Sequence, residues 1–523
     1  MAKRTSLFVF LLILLFSACE RPAPEVSIID VNGENPAVIG EVPDPAVESA
    51  AGTPMPAVPP TPLVPEMRLP TRAVYDGNPT PDPPHVSVKN IERGVAAHVV
   101  NPGETLAFIA QLYGTDVAEL EELNSVTAAD VLFIGQEIMV PNRIDAIGPS
   151  FKIIPDSELV YGLAAQDFDV AEFVAAYGGF LLEYLEEVEG TVLTGPQVVQ
   201  LIADRFSVNP RLLLAALEYN SNWVTHPDPP PTEYAMGYVD ASIPSLYWQL
   251  YRAANQFNWG FYGRSEAGMT AIALADGTQI AYAPEINDGT AAVQTYLAGR
   301  TNTTYQSWLQ DVGPTGFYAT YDNLFGNPFA FTVEPLWPSG LQQPPLQLPF
   351  ASGDTWYLTG GPHGGWGSGS AWAALDFVPP DVARGCLPSE AWVTAMADGV
   401  VTRSDKGAVV VDADGDGYAG TGWAILYQHI ESGERIPLGT FVQTGDRLGH
   451  PSCEGGFSNG THVHIARMYN GRWVSADGAI PFNMAGWVSR GLYREYDGFL
   501  VRGGAQKEAC DICRDETNSI TAD

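Results

Sequence analysis

The chain has 523 residues, 46% of them hydrophobic and only 17% charged, with 26 basic against 61 acidic side chains and a net charge of −35. Such an acidic chain lacks the basic surface that phosphate backbones and anionic lipid head groups require, which excludes nucleic-acid binding as its function. The 53 glycines and 42 prolines point to many turns and long linkers rather than one helical bundle.

The first residues read as an export signal. Lys3 and Arg4 precede an apolar run of ten residues, Leu7 to Phe16, too short to cross a bilayer as a helix. Ser17-Ala18-Cys19 follows. The segment 1–19 resembles a bacterial lipoprotein signal, with Phe16 departing from the usual leucine. The resemblance implies a lipidated Cys19, attachment to the membrane and an extracytoplasmic location. Residues 20–95 are rich in Pro, Ala and acidic side chains with little periodicity, and read as a disordered tether.

Residues 96–143 predict a compact β-α-α-β unit. Leu106, Ile109, Ala110 and Tyr113 recur at helical spacing, Val117, Leu120 and Leu123 form a second short helix, and Ile134 to Pro141 reads as a return strand. Pro102-Gly-Glu-Thr-Leu106, Tyr113-Gly114, Leu123-Asn124, Gly135-Gln136 and Val140-Pro141 resemble a LysM module. That resemblance implies binding to the glycan of peptidoglycan.

Residues 155–335 predict a mostly α-helical domain. The stretch Val208 to Ser221 distantly resembles the catalytic helix of lytic transglycosylases, but Asn220 stands where that family has its acid/base glutamate, and Glu218 falls on a different helix face. The domain is expected to be a non-catalytic spacer or glycan-binding unit. After the Pro-rich boundary Pro344 to Pro349, residues 345–495 change to short alternating apolar runs separated by Gly-rich turns, an all-β signature of an antiparallel sheet. Residues 496–523 read as a polar tail. The fold class is therefore multidomain α+β.

Five of the eight histidines, His363, His429, His450, His462 and His464, fall between positions 363 and 464. In Thr461-His-Val-His464 the two imidazoles stand at i and i+2, so on a strand they project from the same face. Two imidazoles in one cleft suit a site in which one holds a metal and the other handles a proton. Gly360-Gly-Pro-His363, Leu375-Asp376, Tyr427-Gln-His429 and the His-x-His segment together resemble the lysostaphin-type zinc endopeptidases, which include LytM and the LasA and β-lytic branch. The resemblance implies zinc held by His363, Asp376 and His464, with His462 and His429 as general base and as transition-state stabiliser or proton donor. It departs from the compact His-x-Gly-x-Asp motif: Trp372 lies four before Asp376, and the nearest upstream histidine is thirteen residues away. It implies hydrolysis of peptide crosslinks in peptidoglycan. Two rivals remain: a non-catalytic activator of wall hydrolases, and an endopeptidase acting on Gly-rich proteins outside the cell.

Beyond Cys19, the cysteines Cys386, Cys453, Cys510 and Cys513 allow three pairings. Cys386 with Cys453 is favoured because both lie in the 345–495 domain; Cys510-x-x-Cys513 reads as a small disulfide loop or half of a metal site. Asp412, Asp414 and Asp416 alternate like the start of a calcium loop, but Trp423 occupies the twelfth position, and a tight turn is expected.

Overall fold

The computed structural model describes residues 88–92, 94–100, 105–112, 115–127, 132–133, 136–142, 144–492 and 494–523. The signal segment with Cys19, the tether before Val88 and the LysM motif residues Pro102, Gly103, Glu104, Tyr113, Gly114 and Gly135 lie outside the described residues. Among the described residues no helix is long and apolar enough to cross a membrane.

The LysM-like unit has β1 (Val88–Glu92), β2 (Gly94–Val99), α1 (Leu106–Leu112), α2 (Val117–Asn124) and β3 (Glu137–Asn142). Its sheet runs β1-β2-β3, so a strand the sequence reading placed in the tether is added at one edge. Asp116 caps α2 by accepting from Glu119 N. Asn124 donates to Leu120 O and accepts from Met139 N, tying the helix end to β3. Leu106, Ile109, Leu120, Ile138 and Val140 form its small core.

The next region is helical, as the periodicity predicts: α3 (Val170–Tyr177), a hairpin β4 (Leu185–Val188) and β5 (Thr191–Thr194), α4 (Gly195–Phe206), α5 (Pro210–Ser221), α6 (Leu246–Ser265), α7 (Asp288–Ala298) and α8 (Phe317–Phe325). Thr194 and Gln197 form a capping box on α4, and Pro follows the cap in both α4 and α5. Glu218 is used as a structural acceptor: its carboxylate takes hydrogen bonds from Val224 N, Thr225 N and Thr225 Oγ1. Asn220 donates to Ala216 O and Tyr296 OH. Both side chains are thus engaged within the helical region.

The C-terminal sheet contains β6 (Thr355–His363), β7 (Ala374–Val378), β8 (Gly399–Asp405), β9 (Ala408–Asp412), β10 (Trp423–Gln428), β11 (Phe441–Val442), β12 (Val463–Tyr469), β13 (Arg472–Trp473) and β14 (Ser519–Thr521). Its order is β11-β8-β9-β10-β12-β7-β6-β14, with β13 beside β12, and every pairing is antiparallel. Residues 496–523 are therefore not a free polar tail. Ile520 is buried and β14 pairs with β6, giving that edge a partner for its backbone groups.

Period-two alternation separates two cores on the two faces of this sheet. Leu375, Phe377, Val409, Val411, Ile425, Val463 and Ile465 face one core. Ala374, Val410, Leu426, Ala466 and Met468 face the other, which is continuous with the buried residues of the helical region. Polar contacts cross the same seam: Ser207 Oγ donates to Gly471 O at 2.6 Å, Trp473 Nε1 to Phe206 O at 3.1 Å, and Gly369 N to Asn255 Oδ1 at 2.7 Å. The helical region and the sheet share one interior.

Candidate metal centre and active site

Three strands bring the expected site residues together. His363 ends β6, Asp376 lies in β7, and His464 lies in β12 directly opposite Asp376 in register. Gly360 is the β6 partner of Asp376, and Gln428 of β10 is the partner of His464. His464 shares its strand face with Ala466 and Met468, so the site opens on the face that the helical region covers.

The donor atoms converge. His363 Nε2 lies 3.0 Å from His464 Nδ1, and each lies 3.2 Å from Asp376 Oδ1. All three side chains are buried. The second nitrogen of each imidazole is committed: His363 Nδ1 donates to Gly361 O at 2.8 Å, and His464 Nε2 donates to Gly365 O at 3.0 Å. Because a carbonyl only accepts, those nitrogens carry the protons, and the facing nitrogens present lone pairs. Asp376 Oδ1 is buried without a hydrogen bond. Two lone pairs and a carboxylate oxygen thus meet at one point with no proton between them in the neutral tautomers, an arrangement that a cation satisfies. A two-histidine, one-aspartate set suits zinc.

The electrostatics follow from burial. Burial favours the neutral acid at Asp376, but the His363 and His462 imidazoles outweigh it and hold the carboxyl well below its ordinary value. Burial also works against a charged His363, and the Asp376 carboxylate more than offsets it, raising that pKa. At His464 burial prevails and the pKa is lowered.

His429 and His462 flank the cluster. Their rings lie 4.4 Å apart, and His462 Nε2 is 3.8 Å from Asp376 Oδ1. His462 Nδ1 donates to Gly460 O at 2.7 Å and His429 Nδ1 to Glu454 O at 2.9 Å, so each neutral ring turns an unprotonated Nε2 away from those carbonyls. His429 sits at φ +66°, a left-handed conformation uncommon outside glycine, held by Ser452, whose N and Oγ both donate to His429 O. Burial, then the neighbouring His462 and His464, push its pKa well below the usual histidine value.

A disulfide between Cys386 and Cys453 staples the segment leading to His462, and Thr461 N donates to Gly385 O beside it. Cys510 and Cys513 form a second disulfide, so they are not metal ligands. His450 stays outside the cluster, bonded to Ala391 O and Glu434. Asp412, Asp414 and Asp416 gather in the turn between β9 and β10, where Asp412 accepts from Gly417 N and Asp414 N.

The sequence reading missed two contributors from beyond β12. Tyr496 stacks on His363 with ring centroids 4.2 Å apart, and Glu495 accepts from Gly364 N at 3.0 Å. Nothing in the local pattern marks them, because only the return of the chain past β6 puts them there. Trp366, between His363 and Asp376, is also new: the guanidiniums of Arg205 and Arg403 lie 5.1 and 5.5 Å from its ring.

A LysM domain model matches residues 98–141, and a model described as "LasA, N-terminal domain" matches residues 152–338. Protease LasA of Pseudomonas aeruginosa strain UCBPP-PA14 is 27% identical over 359 residues, 63% of this chain and 77% of that protein. The chain is homologous to Protease LasA. The same protease from strain ATCC 15692 is 27% identical over 352 residues, 62% of this chain and 75% of its own. Among solved structures, the M23 metalloprotease pseudoalterin is 28% identical with a TM-score of 0.27, covering 32% of this chain and 96% of its own. The catalytic domain of lysostaphin from Staphylococcus simulans is 20% identical with a TM-score of 0.17, covering 23% and 87%. The match over 152–338 gives the helical region an identity that its periodicity alone did not supply.

Proposed function

We propose that this protein hydrolyses peptide crosslinks of peptidoglycan outside the cytoplasm, held at the wall by its LysM domain and at the membrane by a lipidated Cys19. The coarser class follows from homology: the chain is a zinc metalloendopeptidase. The observation that carries the finer reading is the convergence of His363 Nε2, Asp376 Oδ1 and His464 Nδ1 on one point beside two further histidines, in a chain that also has a LysM domain.

His363, Asp376 and His464 are the residues that would hold zinc. A zinc ion supplies Lewis acidity there, polarising a carbonyl and making water more acidic. The protein's own groups handle the protons. His462 Nε2 takes a proton from the attacking water, and its imidazolium is stabilised by Asp376 at 3.8 Å. The same nitrogen then delivers that proton to the leaving amine. His429 offers a second acceptor at Nε2; donation to an oxyanion from this tautomer needs an additional proton, which burial and the adjacent imidazoles disfavour. The LysM domain raises the local concentration of enzyme at the wall without altering the chemistry.

The presence of every expected ligand and both histidines argues against a purely activating role. The test is mass spectrometry of peptidoglycan treated with the purified protein, with His462→Ala as control. Peptides with a new free amine, seen only with the unmutated chain, are the expected result. Cleavage of a soluble Gly-rich protein but not of peptidoglycan would overturn the wall substrate. Cleavage of neither by the zinc-loaded, folded protein would overturn the peptidase reading. Radiolabelled palmitate incorporated by the native chain and not by Cys19→Ser tests the anchor.

A further inference from the structure

The loop between β6 and β7 runs from His363 to the strand that carries Asp376. Its Gly365 O accepts from His464 Nε2 at 3.0 Å, which keeps the lone pair of that ring at Nδ1, facing His363 and Asp376. The loop is folded back on itself. Gly365 N donates to Ala371 O at 3.0 Å, Trp366 N to Ser370 Oγ at 3.1 Å, and Ser370 Oγ to Gly367 O at 3.0 Å. A segment bonded internally in this way shifts as one piece, so whatever fixes its outer turn also fixes Gly365 O.

The outer turn is held by α6 of the helical region. Asn255 Oδ1 accepts from Gly369 N at 2.7 Å, and Asn255 Nδ2 donates to Ser368 Oγ at 3.0 Å. Because a backbone N–H only donates, the first bond fixes which way round the amide stands. The turn rests directly on the helix: a Cβ at position 369 would lie 2.1 Å from Asn255 O and 2.9 Å from Trp259 N. Asn255 stands mid-helix, where asparagine is a weaker helix former than alanine, and both ends of its amide serve the loop. We propose that Asn255 is a positioning residue of the metal centre, acting through Gly369, Ala371 and Gly365 on the orientation of the His464 ring. The inference rests on the reading of His363, Asp376 and His464 as zinc ligands. It gives the helical region a share in building the site, beyond that of a spacer.

The experiment measures zinc affinity of the full chain by chelator competition, beside the visible absorption of the Co2+-loaded protein, whose bands report ligand geometry. Asn255→Ala is expected to lower zinc affinity about tenfold, at the lower end for groups that orient metal ligands, and to shift the cobalt bands. Alanine favours the helix, so α6 is retained, and circular dichroism checks it. Asn255→Asp keeps an acceptor for Gly369 N and can accept from the Ser368 hydroxyl, and is expected to restore both readouts. Tyr418→Phe is the control: it removes the Tyr418 OH to Gly162 O bond, 3.1 Å, between the β9–β10 turn and the helical region, and should move neither readout. Unchanged affinity and bands in Asn255→Ala overturn the proposal. So do equal losses in Tyr418→Phe, which would make Asn255 one packing contact among others, or equal losses in Asn255→Asp. If the unmutated chain takes up no zinc, or if His464→Ala takes it up as well, the ligand reading fails and the inference falls with it. Normal uptake with an unaffected Asn255→Ala overturns the inference alone.

Discussion

Asp376 and His464 are register partners across the β7–β12 pair, with Oδ1 3.2 Å from Nδ1. Their side chains stand on the same sheet face, and His462 lies just before β12, separated from the proposed ligand His464 by Val463 alone. On the proposed mechanism metal binding and proton transfer fall to side chains two positions apart in the sequence, and substitution separates them. His464→Ala is expected to lose zinc through dialysis, whereas His462→Ala retains it and loses turnover. Elemental analysis of the dialysed proteins checks both, and loss of zinc from His462→Ala would sink the division of roles.

Gly360 backs the Asp376 carboxylate. A Cβ at position 360 would lie 2.5 Å from Asp376 Oδ2 and 3.1 Å from its Cβ. Gly360→Ala therefore displaces the ligand while leaving the sheet pairing in place. Zinc affinity is expected to fall about 10- to 100-fold, in line with losses of groups that orient metal ligands. Competition with a chelator measures it, and unchanged circular dichroism shows that the fold survives.

The two disulfides differ in what they constrain. Cys386 and Cys453 are 67 residues apart and Cys510 and Cys513 only three. On the chain-entropy account, Cys386→Ser costs about 4 kcal/mol of stability and Cys510→Ser clearly less. Thr461 still bonds to Gly385 and Leu387 without the bridge, so turnover is expected to fall less than stability. Denaturant titration beside a peptide-cleavage assay compares the two.

Asp204 on α4 gives a pH dependence with a definite sign. Burial, only partly offset by Arg403, pushes its pKa from 3.8 up to about 6. A raised carboxyl pKa means that the folded chain holds the proton more tightly than the unfolded chain. Its contribution to stability therefore falls as pH rises from about 4 to about 6 and stays low above that. The shift corresponds to at most about 3 kcal/mol, less to the extent that the partly exposed side chain is solvated. Asp204→Asn should flatten this part of the stability curve, as read by denaturant unfolding at pH 4.5 and pH 7. An unchanged difference between those pH values would remove Asp204 as the cause.

What the sequence by itself determined is local. The His-x-His spacing implies a shared strand face, the helical intervals of 170–188 and 196–220 imply helices, though Leu185–Val188 forms a strand instead, and the Gly-rich alternation after 350 implies an antiparallel sheet. Each depends only on side-chain period along one segment. The tertiary structure decided everything that depends on strands far apart in the chain. It set the register that puts Asp376 opposite His464 and carried His363 across the thirteen-residue gap to meet them. It also returned residues 496–523 to stack Tyr496 on His363 and to close the sheet edge with β14. The helical region's packing on the catalytic face was likewise invisible in its periodicity. A helix pattern gives the width of an apolar stripe and not the surface that will cover it. Here the cover is the face of Ala374, Leu426 and Ala466, the same face on which the histidines stand.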